Sequence, residues 1–407
     1  MFDIKKIKAD FPIFKASKEA TLHYLDSAAS SQTPECVISA MDEYYRNFRS
    51  NVHRGAYALS EKASESYEGA RATVAGFVGA NQNEIVFTAG ATASVNMLAY
   101  SFEQSLDLKE GDEIVVSIME HHAMLLPLQE LARRKKLNLK YINVDENYRL
   151  DYKSVESLIT ERTKIVGITL ASNVTGAIND VSYISQIVRK MGALVVVDAT
   201  AAMGHIPVSV KELDCDAMFF SGHKMCGPTG IGALYINGEL GEKLNPSFFG
   251  GGIVTDVDLE KAEFVSAPEK FEAGTPNISG AIGIAEAVKY LTEVGLENIK
   301  KHTEELTSYT IEKLKEIDGV KIFAEQDVEK NVGIVSFTVE GAHPHDVIEF
   351  LGRDNVAVRG GHHCALPFVK TLGVPATVRA SIYLYNTKED IDALVSSVKK
   401  AQEFFKK

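Results

Sequence analysis

The sequence predicts an α/β protein with a large domain on a mostly parallel seven-stranded sheet and a smaller α+β domain at the C-terminus. Three observations lead there. Between residues 84 and 236 short apolar, β-branched runs alternate with helical segments, a pattern that puts parallel strands under helices on both faces. Beyond about residue 265 the texture changes to two long helical patterns and then to short strands and helices. With 407 residues, 45% of them hydrophobic, the chain can bury more than one core.

Composition narrows the function. The formal net charge is −12 and there is no long Lys/Arg patch with interleaved aromatics, which argues against a nucleic-acid partner. The start, Met1-Phe2-Asp3-Ile4-Lys5-Lys6, lacks the apolar stretch of a signal peptide, and no run approaches the length of a membrane span. The expected location is the cytoplasm, with no membrane contact. Cys36, Cys215, Cys226 and Cys364 are scattered without CxxC spacing, so neither a zinc site nor a disulfide framework is expected.

Taken in order, residues 1–20 read as a polar helix and Leu22 to Asp26 as an extended segment. Ser27-Ala28-Ala29-Ser30-Ser31 then permits close backbone approach to a ligand, and a helical pattern follows Pro34 through Tyr45. Asn51-Val52-His53-Arg54-Gly55 is polar and turn-like, and a helix is expected from about Glu61 to Val78.

The seven strands are expected at Ile85–Phe87, Ile114–Val116, Leu139–Ile142, Ile165–Ile168, Leu194–Val197, Met218–Phe220 and Leu234–Ile236. Ligands of such sheets sit beyond the carboxyl ends of the strands, so the residues following each strand matter most. After the first comes Thr88-Ala89-Gly90-Ala91-Thr92-Ala93-Ser94, leading into a helix expected near Val95: an anion site, or an ordinary helix cap. After later strands come Met119-Glu120-His121-His122 and Ser172-Asn173-Val174-Thr175-Gly176. Adjacent histidines point different ways from a helix and no HExxH spacing is present, so stacking or hydrogen bonding is favoured over metal binding.

Asp198 ends the fifth strand, and Lys224 follows the sixth in Ser221-Gly222-His223-Lys224, with Gly227-Pro228-Thr229-Gly230 after it. Each residue has an everyday reading, a helix cap or a solvated lysine. Together, a lysine for a Schiff base, an aspartate for a pyridinium nitrogen, and hydroxyls with a helix start for a phosphate describe what pyridoxal phosphate requires.

The C-terminal part reads as a polar turn at Phe271 to Asn277, helices from Ser279 to Val294 and from Leu296 to Ile317, and then strand, strand, helix, strand, strand, helix to Phe405. Between its last strands lies Arg359-Gly360-Gly361-His362-His363-Cys364-Ala365-Leu366-Pro367. A thiol on a glycine-flanked loop beside histidines and an arginine suits a reactive cysteine. The other three cysteines read as buried and inert.

With Lys224 and Cys364 placed, the sequence resembles the class V aminotransferase family of fold-type I pyridoxal-phosphate enzymes and, within it, the group II, SUF-type cysteine desulfurases. The stretches that carry the resemblance are Asn51 to Gly55, Glu120-His121-His122-Ala123, Ser221 to Lys224 with Gly227 to Gly232, Phe271 to Asn277, and Arg359 to Ala365. It implies a fold-type I transferase divided into an N-terminal helical segment (1–20) packing with the small domain, a large cofactor domain (21–265), a connector (266–295) and a small domain (296–407) that carries the cysteine loop. It implies pyridoxal 5'-phosphate on Lys224, with Asp198 on the ring nitrogen, His121 stacked on the ring, and Thr92, Ser221 and His223 on the phosphate. Thr275 would reach the partner subunit's phosphate in a homodimer with shared active sites. Asn173 and Arg379 would hold the substrate carboxylate, with Arg359 and His53 lining the cysteine pocket.

The activity implied is conversion of L-cysteine to L-alanine, leaving a persulfide on Cys364 for an acceptor protein of the SUF type and supplying iron-sulfur cluster assembly. Selenocysteine lyase and cysteine sulfinate desulfinase share the scaffold and are the alternatives, with L-selenocysteine as a second substrate; a non-catalytic partner protein is a third reading. Two departures from the family pattern stand out: Ala201 where a glutamine usually donates to the cofactor's phenolic oxygen, and Gly90-Ala91-Thr92-Ala93 where Gly-Thr-Thr-Glu is usual.

Overall fold

A computed structural model describes residues 2–16 and 21–406 of the chain. All seven predicted strands form one sheet, in the order Ile85–Thr88, Gly232–Ile236, Ala217–Ser221, Leu194–Asp198, Thr163–Thr169, Glu113–Ser117, Asn138–Ile142. Only Gly232–Ile236 runs against the others, so the remaining six open their carboxyl ends on the same edge. Both faces are covered, which is why the strands are apolar at successive positions. Val195 and Val197 belong to one apolar cluster with Ile184, Ile187 and Val188 of the helix Val181–Lys190. Val196 belongs to the opposite cluster, with Met124 and Leu128 of the helix His122–Lys135.

The C-terminal part builds an antiparallel sheet in the order Val320–Phe323, Ile334–Val339, Thr377–Ser381, Arg359–Gly361. Its own core includes Val335, Phe337, Val378 and Ala380 with Leu394 and Val398 of the helix Lys388–Phe405. Two of its elements were not anticipated: the strand Arg359–Gly361, hidden by its glycines, and the short helix Leu366–Thr371, hidden by Pro367 in its first turn. The strand Val356–Ala357 pairs elsewhere, in parallel with His23–Tyr24, and Asp26 bridges to Ser381. Residues 23–26, an extended segment within the stretch expected to form the large domain (21–265), are thus bonded to the C-terminal strands.

The single helix expected over 1–20 is instead two short ones, Ile4–Ala9 and Ile13–Ala16, and residues 17–20 lie outside the described part. The break falls at Pro12, whose ring disfavours helix at the preceding residue. Lys8 pairs with Asp390 at 3.1 Å and Tyr290 donates to Asp10 at 3.0 Å, tying this segment to two later helices. An exposed hairpin, Val254–Val257 with Ala262–Phe264, was also unforeseen. No helix among the described residues is long and apolar enough to cross a membrane.

Candidate active site

Beyond the carboxyl edge of the large sheet lies a cavity of about 190 Å³. Asp198 and Ser221 reach it as the last residues of neighbouring parallel strands, and Lys224 ends the short turn Gly222–Lys224 that follows Ser221. Thr92 stands in the first turn of the helix Ala91–Ser105, four residues earlier than the start expected at Val95. Gly90 makes the early start possible: its φ of 137° is open to glycine and not to residues with a side chain. The hydroxyl of Ser221 accepts from the Ala91 N–H at 2.8 Å, leaving the next N–H groups of that helix without an intrahelical partner. A Cβ on Gly232 would lie 2.7 Å from the Gly90 Cα, so the glycine also permits this strand end and the loop to approach closely.

The charges are shaped by burial. Asp198 is 4% exposed and its pKa is raised by desolvation, against which the neighbouring Thr200 hydroxyl, then the Thr200 N–H, donating at 2.8 Å, and Lys224 pull it back. Lys224, accessible only in part and through the cavity it lines, has its pKa lowered to about 8 by burial and then by Arg379, with Asp198 and Cys364 opposing. His121 caps the helix His122–Lys135 by accepting the Ala123 N–H on Nδ1 at 3.0 Å. Burial, then Lys224, lowers its pKa to about 4, so the ring is neutral and carries its proton on Nε2. His223 is lowered by the same two causes.

Arg379, 2% exposed, comes from the C-terminal sheet and enters the same cavity. Its Nη1 donates to the Asn173 carbonyl at 2.9 Å and its Nη2 to Asp26 at 3.3 Å, while its buried Nε has no partner. Arg359, half exposed, lies 3.9 Å from the other Asp26 oxygen. Cys364 is exposed on a loop where His363 and Cys364 both take left-handed φ values, 52° and 55°. Two successive left-handed residues other than glycine are strained, and such strain gathers at functional positions. The Asn173 amide donates to the His363 carbonyl at 2.6 Å, so one asparagine joins Arg379 to the cysteine loop.

Ten of the residues singled out in the sequence therefore meet at this cavity: Thr92, His121, Asn173, Asp198, Ser221, His223, Lys224, Arg359, Cys364 and Arg379. His53 and Thr275 do not. His53 is exposed and pairs with Glu68 at 2.9 Å, and Thr275 lines a separate cavity with Phe271 and Gly230. Of the other cysteines, Cys215 and Cys226 are buried with thiols pushed up to about 12 by desolvation, and Cys36 is partly buried and raised for the same reason. The sequence reading missed Asp26, which orients both arginines; a carboxylate ending an apolar extended segment, just before five small residues, was the available signal. For His122 it gave only a choice between stacking and hydrogen bonding with no partner named, and for His363 only a place beside the thiol. The rings of His121 and His122 are 6.3 Å apart, and among the described residues no group of three or more His, Cys, Asp or Glu is arranged to hold a metal.

The family model for class-V aminotransferases matches residues 23–394. This chain belongs to the class-V aminotransferase family. It is 45% identical over 402 residues to a probable cysteine desulfurase of Halalkalibacterium halodurans, covering 98% of each chain. It is also 45% identical to one of Staphylococcus epidermidis, covering 99% of this chain and 98% of that one. Among solved structures, a cysteine desulfurase from Thermococcus onnurineus superposes with a TM-score of 0.94 at 40% identity, covering 98% of both chains. The Escherichia coli cysteine desulfurase CsdA gives 0.92 at 36%, covering 99% of both.

Class-V aminotransferases are pyridoxal-phosphate enzymes, and the residues present fit that cofactor. The helix start at Ala91, with Thr92, Ser221 and His223 around it, could hold a phosphate. A buried Asp198 suits a protonated ring nitrogen, and the partly desolvated amine of Lys224 suits a Schiff base. The buried Thr200 hydroxyl lines the cavity beside Asp198 without a close hydrogen-bond partner, a polar atom able to turn to a ligand.

Proposed function

We propose that this class-V aminotransferase is a cysteine desulfurase, converting L-cysteine to L-alanine and passing the sulfur, as a persulfide on Cys364, to an acceptor protein. The observation that carries the reading is the exposed thiol of Cys364 lining the same cavity as Lys224 and Asp198. The high identity to relatives named as probable cysteine desulfurases supports it.

Pyridoxal phosphate, when bound, supplies an electron sink for the substrate's Cα. Asp198 would hold the ring nitrogen, His121 the ring face, and Thr92, Ser221 and His223 the phosphate. Arg379 and Asn173 would hold the substrate carboxylate, with Arg359 at the mouth. Lys224, with its amine near neutrality, can take the Cα proton on Nζ and hold it away from water. The Cys364 thiolate attacks the substrate's sulfur; the new S–S bond forms as the S–Cβ bond breaks, its electron pair staying with carbon. Protonation of that carbon completes alanine, so one cysteine and one thiol become one alanine and one persulfide.

The working form in this reading is a homodimer in the cytoplasm. Thr275 would reach the partner's phosphate, and His53, outside its own chain's cavity, would act only across the dimer contact. The chain would divide, in this reading, into an N-terminal segment (1–20) packing with the small domain, a large cofactor domain (21–265), a connector (266–295) and a small C-terminal domain (296–407) that carries the cysteine loop. The short cysteine loop has little reach, which favours a dedicated acceptor of the SUF type and supply of sulfur for iron-sulfur clusters.

The test is sulfur release and alanine formation from L-cysteine, with and without a candidate acceptor, followed by mass analysis for a persulfide on the Cys364 peptide. Cys364→Ala is expected to abolish alanine release from L-cysteine while turning over L-selenocysteine. Full activity of that variant on cysteine would overturn the assignment of the nucleophile, and a preference for selenocysteine or cysteine sulfinate in the wild type would favour the alternative substrates.

A further inference from the structure

Two histidines open the helix His122–Lys135, and only the first has a place at the cofactor. The second touches the cysteine loop twice. The backbone N–H of His122, one of the unpaired donors of the helix start, reaches the carbonyl of Cys364 at 2.7 Å. Its ring Nε2 accepts the backbone N–H of Leu366 at 3.2 Å. These contacts flank Cys364, whose left-handed backbone and that of His363 are strained conformations that persist only when neighbours hold them. A further tie of the loop to this edge of the sheet is the Asn173 amide on the His363 carbonyl.

We propose that His122 is a positioning residue for the sulfur-accepting thiol, holding the Cys364 loop against the helix start that also fixes His121. The inference rests on the reading of Cys364 as nucleophile. Because His121 caps this helix through its own side chain, the cofactor-facing ring and the thiol take their positions from one turn of backbone. Accepting from Leu366 requires a free lone pair on Nε2. Burial, and then the charge of His362, keep His122 below the ordinary histidine pKa and so preserve it. A glutamine can present an acceptor oxygen near the place of Nε2, and a leucine cannot.

The test uses the cofactor-loaded enzyme and the variants His122→Leu, His122→Gln and Cys364→Ala. In His122→Leu the spectral change of the cofactor on mixing with L-cysteine is expected at the wild-type rate. Persulfide formation on Cys364 is expected to slow about ten- to hundredfold, as for a reacting group displaced by about an ångström. Alkylation of Cys364 by iodoacetamide in the resting enzyme should accelerate, and His122→Gln should restore both rates to within about threefold. Hydrogen exchange of the Leu366 amide in the unaltered protein gives a readout that needs no variant: protection is expected. An unprotected Leu366 amide, or unchanged alkylation and persulfide rates in His122→Leu, overturns the proposal. A Cys364→Ala enzyme that still forms alanine from cysteine at full rate overturns the reading of the nucleophile instead, leaving the exchange and alkylation results to report on the loop alone.

Discussion

Arg379, which lines the cavity, pairs with Asp26 behind it, Nη2 to Oδ1 at 3.3 Å, the carboxylate from the extended segment before Ser27 and the guanidinium from the C-terminal sheet. Burial raises the Asp26 pKa, and Arg379 and then Arg359 oppose it. Arg379 is lowered by burial and pushed back by Asp26. The pair holds the fork of Arg379 in place with its Nε still unpartnered. A buried, oriented guanidinium with a donor to spare is suited to a carboxylate.

Arg379→Ala is therefore expected to raise KM for L-cysteine about a hundredfold, the scale of a lost charge-assisted hydrogen bond to an ion, with a smaller fall in kcat. Arg379→Lys should recover only part, because an ammonium lacks the planar fork. Steady-state kinetics on both variants decide it; an unchanged KM in Arg379→Ala would remove the arginine from the substrate site.

Lys224 provides a pH test. A Schiff base forms from the neutral amine, and the free amine of Lys224 has a pKa lowered to about 8. Stripped of cofactor, the protein should regain pyridoxal phosphate at a rate that rises with pH and levels off above about 8. A rate still climbing toward the ordinary lysine range near 10.4 would show that the amine is not desolvated. Lys224→Ala should lose the borohydride-reducible linkage altogether.

The parts of this site that could be read from the sequence are those where strand and chemistry coincide. Leu194-Val195-Val196-Val197 is unmistakably a strand covered on both faces, so Asp198 must lie at its end. Lys224 follows in the same way from Met218-Phe219-Phe220. The helix starts were harder, since Ala91 to Ser94 are small residues that suit a loop until Gly90 is seen to turn the chain into them. Asp26 was missed, and His122 left without a named partner, because Arg379 and Leu366 are hundreds of residues away from them and meet them only after two sheets come together. For His53 and Thr275, one chain's own cavity offers no place.

Thr200 bears on the alanine that stands at 201. Its hydroxyl is buried beside Asp198 without a close partner, and both Thr200 and Ala201 line the cavity. If Thr200 donates to the cofactor's phenolic oxygen in place of the usual glutamine, Thr200→Val should move the pH midpoint of the cofactor's visible band by about one unit, and Thr200→Ser should not. A spectrophotometric titration of the two variants reads this directly. An unmoved midpoint in Thr200→Val would mean that no side chain at 200 replaces the glutamine.

His205, within reach of the charge of Lys224, is 6% exposed, its Nδ1 has no partner, and its ring lies 4.2 Å from that of Tyr383, whose hydroxyl donates to the Gly204 carbonyl at 2.9 Å. Burial, then Lys224, lowers its pKa to about 3, against about 6.5 in an unfolded chain. Between those values the unfolded state binds a proton that the folded state refuses. Stability therefore rises with pH across this window and is lost as pH falls below about 6.5. His205→Phe keeps an aromatic ring against Tyr383 and removes the titration, so its stability should fall about 1 kcal/mol less than that of the wild type between about pH 7.5 and 5.5. Denaturant unfolding of both proteins at the two pH values measures the difference, and equal losses would mean that the folded protein protonates His205 as readily as the unfolded chain does.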